Sequence, residues 1–299
     1  MLETVHDDNP LFLELMKLGA DHTAIVIGGG GGIGRGTALG LASKGVRCVI
    51  ADIELDNAKA VADEIAGLGV ASLAVPVDAT DNDSLAALAE ETERQFGAIH
   101  VLSNNVGVVH DRALLDATDA EWGWVVEFNL MSIVRACAAI VPRIQTHDAG
   151  GHVVNTASMA ALWASKPDEV HGVNLGLYIT TKHAVLGYTE TLRYELAPDG
   201  IGVSCLCPGT VDSNLMATSM RNRPERFGGP EHFDETVGMN PFAMAQEDVG
   251  KYVVAGIEDD RTVVLTHASR GRRFVDERAA TLAEDFEFFA AIDAETKET

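Results

Sequence analysis

Short apolar runs alternate along the chain with stretches of helical periodicity. Residues 23 to 27 (TAIVI) are apolar almost throughout, as a strand covered on both faces must be. Five glycines follow, then Ile33, Gly34 and RGTALGLASKG, which has helical spacing and ends on Gly45. The same beat recurs: strand RCVIAD, an amphipathic stretch from Leu55 to Leu68, strand ASLAVPVD, helix SLAALAEETERQFG and strand IHVLSNN. Then come a long helix EWGWVVEFNLMSIVRACAAIVPRI, strand HVVNTAS, helix TTKHAVLGYTETLRYELAPDG and strand IGVSCLCPG. Strands that alternate with helices predict an α/β fold whose parallel sheet carries helices on both faces.

No linker or internal repeat divides the chain, so one domain spanning residues 22–275 is expected, with appendages. Residues 1–21 form an extension in which Leu11 to Leu18 predicts a helix, with Phe12 and Leu15 as its packing residues. Residues 213–245, rich in Met, Pro, Gly and Arg, predict an irregular helical flap. Residues 276–299 predict an amphipathic helix and a frayed charged tail.

Charge and cysteine content narrow the partners. The 45 acidic and 22 basic residues give a net charge of −23, which repels phosphate backbones and anionic lipid, so neither nucleic acid nor membrane is expected as a partner. Cys48, Cys137, Cys205 and Cys207 form no CxxC pair and fit no zinc-site spacing; they read as buried thiols, and no metal is expected. The first residues lack the basic start and apolar core of a secretion signal, so a cytoplasmic location is the expectation.

The glycine run lies between strand and helix, where missing Cβ atoms let the backbone approach a pyrophosphate at a helix N-terminus. It fits GxGxxG from Gly29 to Gly34 and equally GxxxGxG through Gly28, Gly32 and Gly34, so the run alone leaves the subtype of a Rossmann-type, doubly wound sheet open. A P-loop is excluded, because Arg35, Gly36 and Thr37 stand where Lys-Ser/Thr should follow. Asp52, at the end of the second strand, can accept both adenosine ribose hydroxyls and repel a 2′-phosphate, which favours NAD over NADP. Asp78 ends the third strand and can reach the adenine edge.

Further motifs follow in order: Asn104-Asn105-Val106-Gly107, Asn129 in FNLMS, Ser158 in VVNTAS, Tyr178-Ile179-Thr180-Thr181-Lys182, and Pro208-Gly209-Thr210-Val211-Asp212-Ser213. With the glycines, this set resembles the short-chain dehydrogenase/reductase family from about Thr23 to Ser213. The resemblance implies an oxidoreductase acting on CH–OH groups, with Tyr178 as acid/base, Ser158 bonding the reacting oxygen, Lys182 binding the nicotinamide ribose and Asn129 positioning a relay water. It also implies that the coenzyme touches Gly28, Gly31, Gly32, Ile33, Gly34, Asp52, Ile53, Asp78, Ala79, Asn105, Val106, Gly107, Tyr178, Lys182, Pro208, Gly209, Val211 and Ser213. Physical chemistry adds that Tyr178 and Lys182, four apart, share a helix face, so the ammonium should pull the phenol's pKa down toward working pH.

The chain departs from the family pattern in places. Ile27 stands where Thr is common, Val106 replaces Ala, and residues 159–177 are longer than usual. The additional residues place Trp163 and His171 either at the substrate pocket or on a surface excursion. The final strand TVVLTHASRGRRF, the RNRP run at Arg221 to Pro224 and VSCLCPG resemble the branch that contains lignin aryl-ether Cα-dehydrogenases. That branch implies a bulky hydrophobic, benzylic secondary alcohol, with Leu215, Met216, Met220 and Phe227 available to a lid. Alternatives are a steroid or polycyclic-alcohol dehydrogenase with the same machinery, or a non-catalytic dinucleotide sensor. The family implies a homodimer or tetramer through helices at about 121–144 and 178–197.

Overall fold

The computed structural model describes residues 15–147, 149–164, 173–232 and 243–297. Seven parallel strands form one sheet in the order β3-β2-β1-β4-β5-β6-β7. They are β1 (Thr23–Ile27), β2 (Arg47–Asp52), β3 (Ser72–Pro76), β4 (Val101–Asn104), β5 (Gly151–Thr156), β6 (Ile201–Cys207) and β7 (Val263–Leu265). The helices are α1 (Gly32–Ser43), α2 (Leu55–Gly67), α3 (Asn82–Phe96), α4 (Asp119–Val126), α5 (Ser132–Ile144), α6 (Gly176–Leu196), α7 (Leu215–Arg221), α8 (Gln246–Glu258) and α9 (Ala268–Lys297).

Alternate residues of the central strands feed two cores, as the pleat requires. Ile25 and Ile27 join Leu85 and Leu88 of α3, Ile133 and Ile140 of α5 and Val185 of α6. Ala24 and Val26 join Leu41 of α1, Ile65 of α2 and Val253 of α8 on the opposite face. The second face is drawn tight by small residues: a Cβ on Gly40 of α1 would lie 2.5 Å from the Gly250 Cα of α8. A third, smaller cluster of Trp124, Val125, Leu177 and Met220 lies beside the flap, with Phe128 and Phe227 against it.

Strand order reverses between β1 and β4. That reversal opens a crevice at the carboxyl ends of the strands, where ligands of such sheets bind.

Some expectations change. Residues 15 to 19 are irregular rather than helical, with Leu18 buried and Leu15 largely exposed; the rest of the expected helix, with Phe12, lies outside the described residues. The last strand shrinks to three residues, because α9 begins at Ala268 and runs unbroken to Lys297 through the expected boundary at 275/276 and the expected frayed tail. The long helix is continuous from Asp119 to Ile144 but contains a π-turn at Glu127–Met131. Its length and apolarity would suffice to cross a bilayer, yet half of the apolar stretch is packed inside the domain. All four cysteines are free and buried.

Candidate active site

The glycine cradle is tight where the backbone folds on itself and open where a ligand would enter. Gly28 and Gly32 have φ of +70° and +52°, which side chains with a Cβ rarely adopt. A Cβ on Gly34 would lie 2.0 Å from the Gly28 carbonyl oxygen, whereas one on Gly31, at the N-terminus of α1, would meet nothing within 4 Å. Asp52 lies beside the cradle, held by two backbone amides: Gly30 N–H donates to Oδ2 (2.9 Å) and Glu54 N–H to Oδ1 (3.0 Å). Each carboxylate oxygen keeps acceptor capacity. Ile53 next to it is exposed, and so is Asp78, whose Oδ1 accepts from the Thr80 amide and hydroxyl in a local turn; Ala79 is buried.

The loop after β4 links this cradle to the chemistry. Val106 packs on Gly28, 3.0 Å from where a Cβ would be. A Cβ on Gly107 would be 3.2 Å from Asn129 Oδ1 and 3.4 Å from Lys182 Nζ, so both side chains converge there. Asn105 serves as a clamp: its amide donates to the Ile27 and Ser103 carbonyls, and its Oδ1 accepts from Thr156 Oγ1 (2.9 Å). That side chain ties β1, β4 and β5 and is occupied by protein partners.

Asn129 sits fully buried in the π-turn. Oδ1 accepts from Val108 N–H (2.6 Å), while Nδ2 donates to the Val108 carbonyl (3.0 Å) and to Thr181 Oγ1 (2.9 Å). The widened turn thus lets one side chain hold the post-β4 loop against α6.

Tyr178 lies in the first turn of α6, and Lys182 one turn on. The Lys182 Nζ donates to the Thr156 carbonyl (2.9 Å) and stands 5.4 Å from the Tyr178 ring centroid. The Ser158 hydroxyl accepts from Ala160 N–H (3.1 Å) and is close enough to the Tyr178 phenol to oppose a rise in its pKa. Burial nonetheless pushes the Tyr178 phenol up to about 12, and pulls the Lys182 ammonium down to about 8. The expectation that Lys182 lowers the phenol's pKa is therefore corrected: the ammonium bonds a carbonyl and faces the ring, so desolvation prevails.

The PG turn lies at the cradle's rim. Ser213 Cβ is 3.3 Å from where a Gly32 Cβ would be. The Pro208 carbonyl accepts from Met159 N–H (2.9 Å), and Gly209 N–H donates to Thr266 Oγ1 (3.1 Å). Val211 bridges Met244, joining the two ends of the flap.

Trp163 stacks on Phe274 of α9 at 4.8 Å, while His171 lies outside the described residues. Met220 is buried in the cluster with Trp124, and Phe227 meets Phe128 edge-on at 6.5 Å.

Two features escaped sequence reasoning. Glu121 is buried between His110 Nε2 (2.7 Å) and Arg112 Nε (3.0 Å) and closes a capping box with Thr118. Burial alone would raise its pKa, but hydrogen bonds from Thr118, His110 and Arg112 hold it at about 2. Thr118-x-x-Glu121 was a readable signal for the cap. The other feature is Glu54, which accepts from Arg221 (3.0 Å) and Asn222 (2.9 Å) and so ties the flap to the end of the crevice beside Asp52.

A family model for short chain dehydrogenase matches residues 22–224. The chain belongs to the short-chain dehydrogenase family. The probable oxidoreductase EphD of Mycobacterium tuberculosis is 34% identical over 204 residues, 68% of this chain and 33% of that protein, so the chain spans about a third of that relative's length. A C alpha-dehydrogenase of Sphingobium is 27% identical over 259 residues, covering 84% of this chain and 82% of its own, in keeping with the branch resemblance. A Burkholderia phymatum short chain dehydrogenase/reductase in complex with NAD superposes with a TM-score of 0.78 at 27% identity, over 91% of this chain and 96% of that one.

Proposed function

We propose that this short-chain dehydrogenase is an NAD-dependent oxidoreductase that interconverts a hydrophobic secondary alcohol, benzylic in the leading case, and its ketone. The observation that carries the reading is the grouping of Ser158 and Lys182 around Tyr178, with Lys182 reaching Gly107, next to a glycine cradle flanked by the Asp52 carboxylate. The Gly31 opening and the free lone pairs of Asp52 fit a pyrophosphate and an adenosine ribose with an unmodified 2′-hydroxyl.

In this reading Asp52 binds the adenosine ribose, Gly31 and Gly32 approach the pyrophosphate, and Lys182 holds the nicotinamide ribose. A bound nicotinamide supplies the hydride acceptor or donor and, when oxidised, a positive charge beside the phenol. Ser158 bonds the reacting oxygen. For ketone reduction Tyr178 donates its proton to the carbonyl oxygen, and burial suits it to this by keeping the phenol protonated. For alcohol oxidation the Tyr178 phenolate takes the hydroxyl proton as hydride leaves the carbinol carbon. Asn129 positions the Val108 backbone and, with Lys182 Nζ 3.4 Å from the Gly107 Cβ position, borders the path of a relay water.

The substrate class draws on the C alpha-dehydrogenase relative and on a cyclohexanol dehydrogenase of Acinetobacter, 34% identical over 195 residues, 65% of this chain and 74% of that protein. We assign the same chain a homodimer through the α4–α5 and α6 helices. The test is nicotinamide reduction with a panel of aryl, alicyclic and steroid secondary alcohols, with NAD+ and NADP+ in parallel. Turnover of an aryl or alicyclic alcohol with NAD+ preferred is the expected result; a preference for NADP+ would refute the role of Asp52.

A further inference from the structure

We propose that α9 docks on the α9 of a second copy of this chain, antiparallel, across a coiled-coil seam centred on Leu282. Every residue from Val275 to Ala294 is exposed. Even so, Val275, Ala279, Leu282, Phe286 and Phe289 recur at alternating spacings of four and three, the pattern of a helix face built to meet another helix. Leu282 is 50% exposed, Phe286 76% and Phe289 61%. Helices in proteins draw most of their stability from packing an apolar face, and a row of bare phenyl groups marks a contact surface.

The base of the helix is anchored to its own domain. Phe274 stacks on Trp163, and Arg278 donates to the Leu162 carbonyl (3.0 Å) while sitting 2.9 Å from His183 Nε2. Those contacts fix the direction in which the remaining turns leave the domain.

Charge selects the occupant. Residues 270 to 278 carry Arg270, Arg272, Arg273 and Arg278 against Asp276 and Glu277, whereas residues 279 to 293 carry Glu284, Asp285, Glu287 and Asp293 and no Lys or Arg. Two parallel copies would set acidic turns against acidic turns. Two antiparallel copies crossing at Leu282 instead set Arg278, whose Nη1 is held by its own domain, beside the partner's Asp285, and Arg272, whose Nε pairs with Asp276 of its own helix, near the partner's Asp293, twice by symmetry. Small Ala279 then faces the large Phe286 ring of the other copy. The acidic half repels an anionic lipid surface, and the arginine-bearing turns of a second copy complement it.

Introduced cysteines test the geometry in the full chain, because the four native thiols are buried. In the antiparallel pair Leu282 lies beside its own symmetry mate, while the two Asp293 positions are about 33 Å apart. Under mild oxidation Leu282→Cys is expected to run mostly as a covalent dimer on a non-reducing gel, and Asp293→Cys as single chains. By sedimentation, the Phe286→Asp/Phe289→Asp double variant should have half the assembly mass of the wild type, with turnover unchanged. Cross-linking of Asp293→Cys as strong as that of Leu282→Cys, an unchanged mass in the double variant, or a monomeric wild type would each overturn the proposal. So would recruitment of the helix to lipid vesicles without self-association.

Discussion

Asp52 and the cradle glycines make separable demands. Asp52→Asn keeps the side-chain shape but removes the charge facing the ribose; the ratio of kcat/KM for NAD+ over NADP+ should fall about tenfold or more, corresponding to about 1.4 kcal/mol. Gly31 and Gly34 give opposite phenotypes. A Cβ at Gly34 runs into the Gly28 carbonyl, so Gly34→Ala should lower unfolding free energy by about 1–3 kcal/mol in urea titrations. A Cβ at Gly31 meets open space, so Gly31→Ala should fold normally and lose coenzyme affinity by calorimetry. At this scale the sequence was most readable where a motif fixes both residue type and position, as at Gly34, Ser158, Tyr178 and Lys182. It was least readable where the outcome is a balance of burial against bonding. The Tyr178 pKa moved opposite to the i,i+4 argument, because helical spacing says where a side chain starts and not which acceptor its end finds.

Among elements, the strands β1 and β2 were legible to the residue, since their neighbours cover both faces and force continuous apolar runs. The short β7 was not, because its three residues pair only with β6 and the following sequence favours helix. The π-turn was equally silent: nothing in FNLMS announces a widened turn, which arises because Asn129 must satisfy Val108 and Thr181 at once. Asn129→Ala leaves the Val108 amide and the Thr181 hydroxyl short of partners in a buried site. The expected loss is about 2 kcal/mol of stability, with kcat falling more than KM rises, as measured by denaturation and steady-state kinetics. The Thr118 capping box could be read from sequence, but the ion cluster it supports, with His110 eleven residues before Glu121, needs the fold.

For the whole molecule, two buried histidines govern acid stability. Burial pulls His100 and His152 each down to about 4, from an ordinary value of 6.5. The Ser204 hydroxyl donates to the Arg261 carbonyl (2.6 Å) and so accepts from His152 Nε2 (2.8 Å), which fixes the neutral ring's proton there. A depressed folded pKa means stability that is complete above pH 6.5 and is lost as pH falls toward 4. The two rings together contribute on the order of 5 kcal/mol, and His152→Gln should flatten the fall of unfolding free energy over that interval. The doubly wound architecture was legible from the strand–helix rhythm, yet the paths of Trp163 and α9 depend on contacts between segments more than a hundred residues apart. The account rests most heavily on the phenol of Tyr178, half-buried near Ser158 in the crevice where the sheet reverses. Tyr178→Phe, assayed on an alcohol that the wild type oxidises, tests it most directly: kcat should fall about 10²–10⁴-fold while NADH binding by fluorescence stays within a few-fold. Turnover close to the wild-type rate would contradict it.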